Sequence, residues 1–108
     1  MSNPPVISVI DDDGSVRSAT RNLVRSLGHV VHTFASAEEF LRSPHLNDTS
    51  CIITDVRMPV MSGLELQTHL LARGRRFPFI FVTAFSVESD RARALQAGAI
   101  GFLIKPFD

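Results

Sequence analysis

Cysteine is nearly absent. Cys51 is the single one among 108 residues, so no intrachain disulfide can form, and a lone thiol fits a reducing compartment. Net charge is missing as well. Eleven basic and eleven acidic residues cancel to a formal +0, which leaves no overall electrostatic footprint for nucleic acid or an anionic membrane. Runs such as Phe79–Val82 are far too short to cross a bilayer. Met1–Pro5 has neither a basic n-region nor an apolar h-region, so no signal peptide is read and the expected setting is the cytoplasm. Repeats, low-complexity tracts and interdomain linkers are lacking too. Lysine is almost missing: every basic residue but Lys105 is arginine. What is there suits one domain. A hydrophobic fraction of 44% can fill one core, and 20% charged residues suit a solvated surface.

The chain alternates two kinds of pattern. Val6–Ile10, Cys51–Thr54, Phe79–Thr83 and Gly101–Ile104 are continuous runs rich in Ile, Val and Phe. Such runs read as strands buried on both faces of a parallel sheet. His29–Phe34 mixes polar and apolar residues and reads as an edge strand. Between the strands lie helices. Val16, Ala19, Thr20, Leu23, Val24 and Leu27 mark one helical face, with Gly28 as its stop. Ser36 with Glu39, and Ser62 with Glu65, form capping-box patterns. The second opens a helix anchored by Leu66, Leu70 and Leu71 and stopped at Gly74. Ser86 is expected to cap a last helix reaching about Ala97, whose apolar stripe is thin. The β-α-β-α-β-α-β-α-β order implies right-handed crossovers and a doubly wound α/β sheet. Ligands in such sheets sit beyond the carboxyl ends of the strands.

Those ends carry the chemistry. Asp11, Asp12 and Asp13 follow the first strand, Asp55 the third, and Thr83 ends the fourth. Lys105 follows the fifth. Acids, a hydroxyl and the one ammonium therefore converge on one sheet edge. Crowded carboxylates repel unless a cation sits among them, and an all-oxygen ligand set favours a hard ion such as Mg²⁺. Lys105 can supply charge and Thr83 a hydroxyl to a phosphate there, and a carboxylate can itself attack phosphorus. Asp13 reads as a helix cap alone. His29, His32, His45 and His69 show no metal-ligand spacing, and Arg73–Arg76 reads as a solvated helix end.

Ile10-Asp11-Asp12, Asp55-Val56-Arg57-Met58-Pro59-Val60-Met61-Ser62-Gly63, Val82-Thr83-Ala84 and Lys105-Pro106-Phe107 closely resemble the motifs of bacterial response-regulator receiver domains. The resemblance runs from about Val6 to Phe107. With Ser36–Leu41, the Asp55 block and the closing Lys-Pro-Phe look most like the NarL/FixJ branch. It implies a five-stranded sheet in the order 2-1-3-4-5 and one receiver domain over residues 1–108. It implies that Asp55 takes a phosphoryl group from a sensor histidine kinase. Asp11, Asp12, Asp55 and the backbone carbonyl of Arg57 would hold Mg²⁺. Thr83 and Lys105 would bind the phosphoryl group, Phe102 would stand at an aromatic switch position, and Lys105–Pro106 would be cis. Further expectations are homodimerisation on phosphorylation and DNA control only through an output domain, which these residues do not contain. Only four residues follow Ile104, so a final helix is expected to be missing, with an apolar sheet face left open beside the first helix.

Two other functions compete. An Asp-nucleophile, Mg²⁺-dependent phosphatase needs a second acid two residues after its nucleophile, where this chain has Arg57, which cannot donate a proton at neutral pH. An interaction-only receiver would have lost Asp12, Asp55, Thr83 or Lys105, and all four are present.

Overall fold

The computed structural model describes residues 4–84 and 87–105. Its elements are β1 (Val6–Ile10), α1 (Gly14–Ser26), β2 (Val30–Phe34), α2 (Ala37–Arg42), a 3-10 turn (Pro44–Asp48), β3 (Cys51–Asp55), α3 (Gly63–Ala72), β4 (Phe79–Thr83), α4 (Glu88–Gln96) and β5 (Gly101–Ile104). The five strands form one parallel sheet in the order β2-β1-β3-β4-β5. The helix starts follow local chemistry. Asp13 caps α1 through Ser15 and Val16 N–H, and Ser62 with Glu65 forms a complete capping box on α3. On α2 the box is displaced: Ser36 accepts from Glu39 N–H, but the Glu39 carboxylate reaches the N–H of Ala35. No helix among the described residues is long and apolar enough to cross a membrane.

The two faces of the sheet are covered unequally. Phe40, Leu64, Leu66, Leu70 and Ala94 from α2, α3 and α4 pack with Ile10, Ile52, Phe79 and Phe81 into the main core. Opposite them, Ile7, Val9 and Val24 form a small cluster under α1. An apolar groove of about 350 Å³ runs beside α1, lined by Leu23, Val24, Ile53, Ile80, Val82 and Leu103. Of the face expected to be open beside the first helix, Leu103 of β5 is exposed, whereas Ile7, Val9 and Ile10 of β1 are buried. Two further expectations are corrected. Leu27 on the apolar face of α1 is 67% exposed, because only part of that face meets the sheet. Leu103 and Ile104 of β5 are exposed rather than buried on both faces, because β5 is an edge strand.

The last helix also differs. It begins at Glu88, with Val87 at its N-cap and no side-chain cap bond. Ser86, expected as the cap, lies outside the described residues, as do Pro106 and Phe107. Only Ala94 of α4 is buried. Two hydrogen bonds tie it to α3: Gln67 Nε2 donates to the Ala94 carbonyl at 3.2 Å and Arg93 Nη2 to Thr68 at 3.3 Å. Elements held by little apolar contact open most easily. Amides of α4 should therefore exchange with solvent faster than those of α1 or α3, as read by hydrogen-exchange mass spectrometry. Equal protection in the three helices would refute this account of how α4 is held.

Candidate functional site

Strand register brings the predicted residues together. Ile10 pairs with Thr54, Asp55 with Val82 and Thr83 with Ile104. Side chains one step past these pairs therefore emerge along one line at the carboxyl edge, which is where Asp11 and Lys105 stand. The ladder reaches Lys105, whose N–H donates to the Thr83 carbonyl at 2.7 Å. Asp11, Asp55 and Thr83 are buried, Asp12 is exposed, and Phe102 is half-buried with its ring 6.2 Å from that of Phe81.

One ammonium joins two of the acids. Lys105 Nζ donates to Asp11 Oδ2 at 2.9 Å and to Asp55 Oδ2 at 3.0 Å. The remaining oxygens are also used: Asp13 N–H donates to Asp11 Oδ1 at 2.9 Å, and Arg57 N–H to Asp55 Oδ1 at 3.2 Å. Burial pushes the Asp11 carboxyl above its ordinary value, outweighing the Asp13 N–H and the Lys105 charge. Burial pulls on the Lys105 ammonium in the opposite sense, yet its bonds to Asp11 and Asp55 prevail and its pKa is raised. A carboxylate with a raised folded-state pKa contributes stability when protonated and loses it as pH rises through the shifted range. Ionised Asp11 is thus a cost at neutral pH that a further cation can offset. Asp11, Asp12 and Asp55 each present a carboxylate oxygen, and the three lie within 4.8 Å of one another. Three hard oxygen donors with no sulfur or imidazole fit a cation such as Mg²⁺.

The loop after β3 carries three features that motif reading left unexplained. Gly63 begins α3 against the end of β3, and a Cβ there would lie 2.2 Å from the Asp55 backbone oxygen. Only glycine lets the helix start so close to the acid. Val60 adopts φ +69 and is 87% exposed, an unusual conformation for a β-branched residue. Arg57 donates from Nη2 to Asp90 Oδ2 at 2.9 Å, crossing from this loop to α4. The other candidates stay apart from this edge. Cys51 is half-buried, and burial pushes its thiol pKa up. His32 stacks on His45 at 3.7 Å, a pairing invisible to spacing because it joins β2 to the 3-10 turn.

Comparison with known proteins agrees with this geometry. Residues 7–108 match the family model described as response regulator receiver domain. The chain is 42% identical over 102 residues to the response regulator protein TodT of Pseudomonas putida, covering 94% of this chain and 45% of that protein. It is 43% identical over 102 residues to the transcriptional regulatory protein FixJ of Azorhizobium caulinodans, covering 94% and 48%. The chain thus spans about half the length of these curated relatives. Among solved structures, the response regulator StyR superposes with a TM-score of 0.88 at 45% identity, covering 98% of this chain and 54% of that one. FixJ-N superposes at 0.84 with 32% identity, covering 100% and 86%.

Two outcomes test the site. Gly63→Ala should destabilise the fold by about 2 kcal/mol, the size of an overpacking penalty, read as a lower urea midpoint. An unchanged midpoint would show that the α3 start is less constrained than its geometry indicates. Lys105→Met should lower the melting temperature on the order of 10 °C, since it strands two acids at a loss of about 2 kcal/mol. Saturating Mg²⁺ should raise the variant's melting temperature more than the wild type's, because the ion replaces the missing charge. Equal shifts in both proteins would contradict the role given to the ammonium.

Proposed function

The chain belongs to the response-regulator receiver family, and from that premise we propose that it is a phosphoacceptor switch whose acceptor is Asp55. The observation that carries the reading is the placement of Asp55 at the end of a buried strand, bonded to Lys105 and within reach of Asp11 and Asp12. The donor we propose is a phosphohistidine on a sensor histidine kinase, and the setting is the cytoplasm. A carboxylate oxygen of Asp55 attacks phosphorus, the N–P bond breaks, and its electron pair stays on the donor imidazole, which takes up a proton. The product is an acyl phosphate.

Each neighbour has a part in this reading. Asp11, Asp12, Asp55 and the backbone carbonyl of Arg57 would hold Mg²⁺, which when bound neutralises charge on the transferring phosphoryl oxygens. Lys105 is already seated against Asp55 and offers its ammonium to the same charge. Thr83 offers its hydroxyl from the end of the next strand. Phe102, on the strand beyond that, is the proposed aromatic follower of Thr83. The output is control of a further domain, homodimerisation among the routes, with transcription the proposed target because relatives such as FixJ are transcriptional regulatory proteins. A phosphatase reading is disfavoured by Arg57, which stands where that chemistry needs an acid and is paired with Asp90.

With Mg²⁺ and a small-molecule phosphodonor, intact mass should rise by one phosphoryl group, and Asp55→Asn should abolish the gain. Equal labelling of the variant would move the acceptor elsewhere.

A further inference from the structure

Arg57 touches both ends of the switch. Its backbone N–H donates to Asp55 Oδ1 at 3.2 Å, and its guanidinium donates to Asp90 Oδ2, in the first turn of α4, at 2.9 Å. Residues 33 apart in sequence are thus joined through one side chain that begins two positions from the acceptor. Among the described residues, no other ion pair joins α4 to the rest of the fold.

Two conditions make this contact more than an ordinary surface pair. The first is how little else holds the start of α4. Its N-cap is Val87 with no side-chain cap bond, and its one buried residue, Ala94, lies near the other end. The cations nearest in sequence to Asp90 are engaged elsewhere, Arg91 with Glu88 and Arg93 with Thr68. The second is that the guanidinium can move. The Arg57 side chain is 55% exposed beside a cleft of about 650 Å³ whose lining includes Met58, Pro59, Glu65, Asp90 and Arg93. A phosphoryl group brings about two negative charges and three acceptor oxygens, against the single charge of Asp90. Guanidinium groups favour such oxygens, which they can bind with two parallel bonds.

We infer that the Arg57–Asp90 ion pair is a latch: it positions the first turn of α4 while Asp55 is unmodified, and a phosphoryl group on Asp55 draws the guanidinium away and releases that turn. Asp90 is the positioning residue and acts through Arg57. The inference rests on the acceptor reading of Asp55. It adds a route from that residue to α4 that passes through neither Thr83 nor Phe102.

The test is hydrogen exchange at the amides of Glu88–Gln96 in wild type and Asp90→Asn, with and without Mg²⁺ and a small-molecule phosphodonor, reading phosphoryl mass in the same samples. Unmodified Asp90→Asn should exchange about two- to fivefold faster than wild type, the range an exposed ion pair can account for. Salt should narrow that gap by screening the wild-type pair. Phosphorylation should accelerate exchange in wild type and add little in the variant. Because Asp90 also lies at a helix start, where any carboxylate is favourable, Arg57→Gln serves as the second variant. It should show the same unmodified rate, and the double variant should add nothing to either single one. Normal phosphoryl gain with equal acceleration in both proteins overturns the latch alone. Failure of both proteins to gain phosphoryl mass overturns the acceptor reading and the latch with it.

Discussion

The site depends on one ammonium held between two carboxylates. Asp11 and Asp55 end adjacent strands of a parallel sheet, so the register that forms the fold also forces two acids together. Burial disfavours their charged forms, as the raised pKa of Asp11 indicates. Lys105 offsets that cost by bonding to both. It is also the chain's one lysine, so the charge that makes the acidic edge tolerable comes from one place, the end of β5. The arrangement is electrostatically unfinished, because Asp12 stands beside it exposed and without an ion-pair partner among the described residues. A site balanced by one positive charge against three acids has a standing use for a second cation.

Geometry around this point is fixed by backbone rather than by side chains. The two carboxylate oxygens of Asp55 are taken by a backbone N–H and by Lys105, and its carbonyl lies where a Cβ on Gly63 could not fit. The main core fixes the ends of β3 and β4 from below through Ile52, Val56 and Phe81. Chemistry therefore sits on the stiff part of the molecule. The soft part is α4, on the neighbouring connection, with one buried residue and an uncapped start.

What could be read from the chain alone follows from this division. Buried parallel strands announce themselves as continuous apolar runs, so the residue after each run could be placed on the ligand edge without any coordinates. That was enough to bring Asp11, Asp55, Thr83 and Lys105 into one site. Contacts between elements were a different matter. The shared bonds of Lys105, the clash that reserves position 63 for glycine, the Arg57–Asp90 pair and the His32–His45 stack each depend on register or on the angle between two elements, and no local pattern encodes those. The exposure of Leu27, Leu103 and Ile104 was harder still from composition. An apolar residue reads as buried wherever it lies, while its actual cover depends on which strand is at the edge and which helix lies over it.

Asp55, set on a core strand beside a loosely held helix, has a consequence for how charge becomes motion. Added negative charge at Asp55 cannot readily displace β3, because displacement would break core packing worth far more than one surface contact. The response must therefore fall on contacts of comparable, small size. Those are the ones that hold α4, and they are few: a buried amide from Gln67, a hydroxyl contact from Arg93, and the Arg57 ion pair. The first two join α4 to α3, through Gln67 and Thr68, and do not involve Asp55. Among the described residues Arg57 alone is bonded to both Asp55 and the helix, so it is the contact whose balance a change at Asp55 alters first.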